Sequence, residues 1–441
     1  MSTFCKHLSG LCLGLAVSLA APASLAAPPA GRRAEAAAAP AAESPVADKL
    51  LLTHARIFVG DGSVIEDGAI LIEGGKITKV GAGVSAAGVT TMDLGGKLVT
   101  PGLIAADTQL GLVEISLEDS TRDESRRDEG AIKAGYDPSS AINADSSLLA
   151  IQAVEGVTTA AVAPHGGLIS GEIAWIDLLP GAHGELVAAS AVGVAMNFGR
   201  SYAGSRAASL AELRRALDDA AWYRNNEKAY ERGAARELVA HPDDLRALWP
   251  VLDKTIPLVV RAHRASDLLA LGELASELDL RVTVVGGTEA WKVREQLAAA
   301  KIHVVLQTTH NLPGSFDTLG ARLDNAALLD AAGVPVAIAH FDSHNARNLT
   351  QEAGIAVANG LDPKVGLQAI TANVAAAYGM DADYGTVTPG KVASLVIWDG
   401  DDPLEFSTWA EQVIVRGHSL EMRSRQTQLR ERYMDLSDFP E

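Results

Sequence analysis

Between about residues 156 and 359 the chain repeats one unit: a short run rich in valine and isoleucine, then a helical stretch. The apolar runs are Gly156 to Val162, Pro257 to His263, Arg281 to Gly286, Lys301 to Gln307 and Val334 to Asp342. The helical stretches are Asp267 to Leu278, Glu289 to Ala300, Asn325 to Ala332 and Leu349 to Asn359. Near-continuous apolar runs are strands buried on both faces, and a helix between successive strands lets them run parallel. The expected class is α/β, and about 280 residues, Val99 to Ala377, suit one eight-stranded (β/α)8 barrel of the TIM type. Ile173 to Leu178 and Leu186 to Met196 are candidates for its third and fourth strands. A long polar helix, about Leu210 to Arg232, interrupts the repeat after them.

The two ends read differently. Leu50 to Leu94 breaks into short strands with a hairpin turn at Gly74-Gly75. Gly385 to Lys391, Ser394 to Trp398 and Val413 to Val415 form a matching fragment near the other end. The expectation is one small composite β-sandwich from residues 48–99 and 380–420, an inserted barrel over 100–379, and a charged tail over 421–441. Residues 1–27 read as a secretory signal, with apolar Leu8 to Ala20 and small residues at Ser24-Leu25-Ala26. Residues 28–47, rich in Ala, Pro and Glu, read as a disordered lead-in. The expected location is periplasmic or secreted, with no stable membrane span once the signal is gone. Both cysteines, Cys5 and Cys12, fall inside that signal, so the mature chain has no thiol nucleophile and no zinc–thiolate site. A net charge of -18 argues against nucleic acid as a partner.

Thr100-Pro101-Gly102-Leu103-Ile104, then Gly333 to Asp342 with Asn345 to Leu349, then Gly385 to Trp398 with Asp399-Gly400-Asp401-Asp402-Pro403, occur in that order. Together they resemble the amidohydrolase superfamily, and within it the imidazolonepropionase-like amidohydrolases, over about residues 48 to 417. The resemblance implies a metal-dependent barrel with a composite sandwich, hydrolysing carbon–nitrogen bonds in cyclic amides or peptide-like small molecules. It leaves open a homo-oligomer.

Family members carry His-x-His directly after the Pro-Gly-Leu-Ile segment. Two residues apart on a strand is one face, so both rings reach one ion. Here the matching positions are Asp107 and Gln109. A carboxylate can still bind a divalent ion, whereas a glutamine oxygen suits harder cations better than zinc. The alternative is that the pair binds no metal and caps the barrel mouth. His263 matches the family's histidine on the fifth strand, at the strand end where barrel sites gather. Gly286-Gly287 stand where relatives often place another histidine. Asp342 matches the eighth-strand aspartate, which in the family binds metal and takes the proton of the attacking water. Its other reading is a cap for a helix starting near Asn345.

His340, two residues before Asp342, should face the same way. Asp107, His263, His340 and Asp342 are therefore a candidate metal set with mixed nitrogen and oxygen ligands, for zinc or manganese if an ion binds at all. Asp342 and His263 are the catalytic candidates. His310 and His344, in loops after the seventh and eighth strands, and Glu172, ending the loop Gly166 to Glu172, are candidates for substrate contact. The mixed-charge stretch Glu118 to Glu129 reads as a solvated loop positioned to cover the site. Three functions stay open: a metal-dependent hydrolase of small amides, a metal-independent one in which Asp342 and His263 activate water, and a non-catalytic relative that binds a ligand or an active homologue.

Overall fold

The structure is a computed structural model describing residues 49–127 and 130–434. The expected signal, the lead-in and residues 435–441 lie outside them. Five strands open the chain: β1 (Lys49–Phe58), β2 (Val64–Glu73), β3 (Lys76–Gly81), β4 (Thr90–Asp93) and β5 (Leu98–Pro101). The β2–β3 hairpin turns at Gly74 and Gly75, both at positive φ (56° and 75°), which glycine adopts without steric penalty. Ten strands follow: β6 (Leu103–Thr108), β7 (Val157–Val162), β8 (Ile169–Glu172), β9 (Ala174–Asp177), β10 (Val187–Ala189), β11 (Val194–Asn197), β12 (Leu258–Ala262), β13 (Val282–Gly286), β14 (His303–Leu306) and β15 (Val336–Ile338). The last three are β16 (Leu395–Trp398), β17 (Ala410–Val415) and β18 (His418–Ser419).

Strands from both chain ends share one mixed eight-stranded sheet, ordered β18-β17-β16-β5-β1-β2-β3 with β4 beside β1. The central strands form two open sheets: β10-β9-β7-β6, and β15-β14-β13-β12-β11-β8. In the larger one, β11 through β15 run parallel, and helices Ala265–Leu278, Arg294–Ala299 and Asn325–Ala331 link successive strands from β12 to β15.

Alternation along these strands sorts their side chains into two cores. One face gives Ile104, Ala161, Trp175, Ala195, Val259, Val285, Val305 and Ala337, packed in a single cluster with Tyr378 and Tyr384. The other gives Ala105, Ala160, Met196, Val260, Val284, Val304 and Ile338, packed against the helices. Each fully buried Val or Ile contributes roughly 1.5–3 kcal/mol, so one polar residue placed inward is conspicuous.

The sequence expectation fails over the third strand. β9 pairs antiparallel with β7, and β8 antiparallel with β11. Eleven residues, 163–173, separate β7 from its partner β9, too few for the crossover that parallel pairing requires. Leu186 to Met196 is two strands rather than one, and the polar helix spans Arg206–Glu231. Among the described residues no helix is long and apolar enough to cross a membrane.

Candidate functional site

The C-terminal ends of β12 to β15 define a mouth, with Asp107 reaching it from β6. Two facts place Asp107 there. The β6–β7 register slips between Ala105 and Thr108, where three steps on β6 match two on β7. Such a bulge inserts one residue and re-aims the next side chain. Asp107 is 4% exposed, and its two oxygens meet one guanidinium: Arg261 Nη2 at 2.5 Å and Nε at 3.2 Å. Arg261 lies on β12 with the parity of Val259 and His263, so it projects into the same interior. The pair crosses from the four-stranded sheet to the six-stranded one.

Gln109 is also committed. Its amide nitrogen lies 2.8 Å from His165 Nε2, and its backbone N–H donates to Ser343 Oγ at 2.8 Å. Crowding by the surrounding protein, and then the Arg261 cation, push the His165 imidazole down to about 4, though the residue keeps an exposed edge.

His263 sits at the end of β12, its Nδ1 2.8 Å from Thr288 Oγ1. Burial lowers its pKa, so the ring is neutral at neutral pH. Gly286 (φ +102°) explains why no side chain follows β13 here: a Cβ would meet His263 Cε1 at 2.5 Å. The ring lies where a side chain at that position would begin. His310 is exposed, its ring 5.8 Å from that of Phe341.

The eighth strand corrects the alternation argument for His340 and Asp342. β15 ends at Ile338, so the period of two no longer holds beyond it. His340 is 16% exposed with Nε2 3.9 Å from Glu352, a buried carboxylate satisfied by Thr309 and Gln307. Asp342 is 55% exposed and takes the capping role: it accepts from His344 N (2.9 Å) and Asn345 Nδ2 (2.8 Å), starting the short helix Ser343–Asn348. His344 Nδ1 stands 3.7 Å from Asp342.

Glu172 lies elsewhere. Antiparallel pairing sets it level with Val194, which is level with Leu258, at the beginnings of β11 and β12. It is on the base side, away from His263, and burial followed by the Asp137 charge raises its carboxyl to about 7.

The described part of the stretch from Glu118, residues 118–127, is mostly exposed, as expected of a solvated loop, and is pinned down at Glu124. Glu124 is buried and paired with Arg122, Arg126 grips Asp244 through two bonds (3.1 and 3.2 Å), and His165 N donates to Glu124 O. It packs on the mouth-side loop between β7 and β8.

These residues do not fit a divalent ion. Both Asp107 oxygens face a fixed guanidinium, which repels a second cation at that distance. Gln109 and His263 Nδ1 have other partners, and Asp342 turns outward to its cap. Among the described residues no three His, Cys, Asp or Glu side chains converge to hold a metal. Arg261, His165, Thr288 and Ser343 were not singled out from sequence. Arg261 alone left a signal, as the one charge inside the run Leu258 to Ala262.

A profile of the amidohydrolase family matches residues 271–420. The imidazolonepropionase of Paracoccus denitrificans is 27% identical over 406 residues, covering 81% of this chain and 95% of that one. An amidohydrolase from Thermotoga maritima superposes with a TM-score of 0.75 at 24% identity, covering 85% of this chain and all of that one. An adenosine deaminase from Xanthomonas campestris with bound zinc gives 0.52 at 20% identity, covering 88% and 98%. These likenesses make the fold an α/β one of TIM-barrel type, and they support, in general terms, a hydrolase of carbon–nitrogen bonds acting on a small molecule. The family profile and the relatives together support an imidazolonepropionase-like protein of the amidohydrolase superfamily.

Proposed function

We propose that this protein hydrolyses carbon–nitrogen bonds in small non-peptide amides, cyclic amides included, at a mouth that works without the usual metal pair. The relatives named imidazolonepropionase support the cyclic-amide class. The observation that carries the reading is His263: a neutral imidazole on the inner face at a strand end, anchored through Nδ1 on Thr288. Its other ring nitrogen is left to take a proton from water attacking the amide carbon, and to return it to the leaving nitrogen. Asp342 positions the Ser343–Asn348 turn and is not the base. Arg261 pairs with Asp107 and ties the two sheets together.

A second reading, a non-catalytic ligand-binding relative or partner of an active homologue, is favoured by the Asp107–Arg261 pair, which consumes the charge a metal would use. A panel of hydantoins, lactams, imidazolones and N-acyl amino acids separates the two. Hydrolysis that survives a chelator and is lost in His263→Gln supports the enzyme. No turnover of any panel member, with binding retained, supports the second reading.

The finer organisation belongs to the same proposal. The two central sheets are the wall of one (β/α)8 barrel over residues 100–379. The sheet shared by the chain ends is the composite domain of 48–99 and 380–420. The chain is exported on its N-terminal signal.

A further inference from the structure

Among the described residues a further hollow lies away from the mouth. A cavity of about 500 Å³ lies at the base, between the starts of the central strands and the sheet built from both chain ends. Its deepest polar group is the carboxylate of Asp177, on β9 and fully buried. Register fixes the location: Asp177 pairs with Thr159, near the start of β7.

Asp177 accepts hydrogen bonds from two neutral hydroxyls, Tyr384 at 3.1 Å and Thr159 at 3.3 Å. Its cationic neighbour, Arg416 Nε, stands at 3.8 Å, beyond hydrogen-bond distance. Burial accordingly raises its carboxyl to about 6, as for an anion short of positive partners. Arg416 is half exposed, and its Nη1 is held by the Glu185 carbonyl at 3.0 Å. Lys76 and Asp383 pair with each other at 3.3 Å on the rim. Ile72, Met380 and Val392 supply an apolar wall.

The charges therefore balance, and the two that face each other meet at 3.8 Å without a hydrogen bond: an under-partnered carboxylate inside, a half-exposed guanidinium at its edge. A ligand that is only an anion meets Asp177. One that is only a cation meets Arg416. A ligand carrying both charges satisfies both.

We propose that this base cavity binds a free amino acid or similar small zwitterion with an apolar side chain, its ammonium on Asp177 and its carboxylate on Arg416. The site is independent of the hydrolytic reading of the mouth. Calorimetric titration of the full chain with L-leucine and L-methionine tests it, alongside 3-methylbutylamine and 4-methylpentanoate, which each carry one of the two charges.

The expected result is binding by a zwitterion with a Kd of about 1 mM or tighter. Each single-charge analogue should be weaker by about tenfold or more, and so should Asp177→Asn and Arg416→Gln, loss of one charge-assisted contact being worth about that factor. Circular dichroism of both variants confirms the fold. No heat with either L-leucine or L-methionine overturns the proposal, as does equal binding of an analogue, or binding that neither substitution changes.

Discussion

Replacing Arg261 by methionine keeps an unbranched apolar stem and removes the charged guanidinium. Asp107 would then be a carboxylate 4% exposed with its two guanidinium bonds gone. Removing one partner of a buried pair costs about 3–5 kcal/mol, mostly for the charge left behind. Arg261 is itself 17% exposed, which admits some water and points to the lower end, about 3 kcal/mol. For a folded unit of roughly 390 residues at about 2.1 cal/mol/K per residue, the unfolding entropy is about 0.8 kcal/mol/K, so Tm falls by about 4 °C. The double variant Asp107→Leu/Arg261→Met removes both charges and should recover most of the loss. Thermal denaturation of the wild type, both single variants and the double variant gives the coupling directly. Strictly additive losses, or a loss below about 0.5 kcal/mol in Arg261→Met, would refute the claim that this pair ties the two sheets together.

Asp342→Asn keeps a capping oxygen, so activity should stay within about threefold of wild type and stability within about 0.5 kcal/mol; a loss of about a hundredfold in hydrolysis would restore Asp342 as the base. Gly286→Ala drives a Cβ to 2.5 Å from the His263 ring at a φ of +102°, and should cost about 1–3 kcal/mol in a denaturant melt while weakening turnover. Glu172 predicts a pH signature: its folded carboxyl is raised from 4.5 to about 7, so its burial penalty is absent at low pH, grows from about 4.5 and is complete above about 7. Glu172→Gln should therefore melt higher than wild type at pH 8 and equally at pH 4; the reverse order sinks the assignment.

The parallel half of the molecule was legible because β12 to β15 are each largely buried on both faces, and the sequence writes that as short runs rich in Val. The β8–β9 region was not, since the antiparallel return of β9 on β7 depends on the short connection 163–173, and composition carries no sign of it. At the site, the sequence singles out Asp107, His263 and Asp342 by residue type, but it carries no sign of where Asp107 and Asp342 point. A bulge turns Asp107 inward, the early end of β15 frees Asp342 to cap a helix, and antiparallel pairing carries Glu172 to the base. Arg261 was hidden for another reason: its role is a contact across the interior with a residue 154 positions away.

The central claim is that the Arg261 guanidinium holds the place a divalent ion would take against Asp107. Metal analysis of the full chain, loaded with Zn²⁺ or Mn²⁺ and then desalted, tests it most directly. Less than about a tenth of an ion per chain is expected, because among the described residues no converging ligand set is left to retain one. One retained ion per chain, lost on Asp107→Asn, would contradict it.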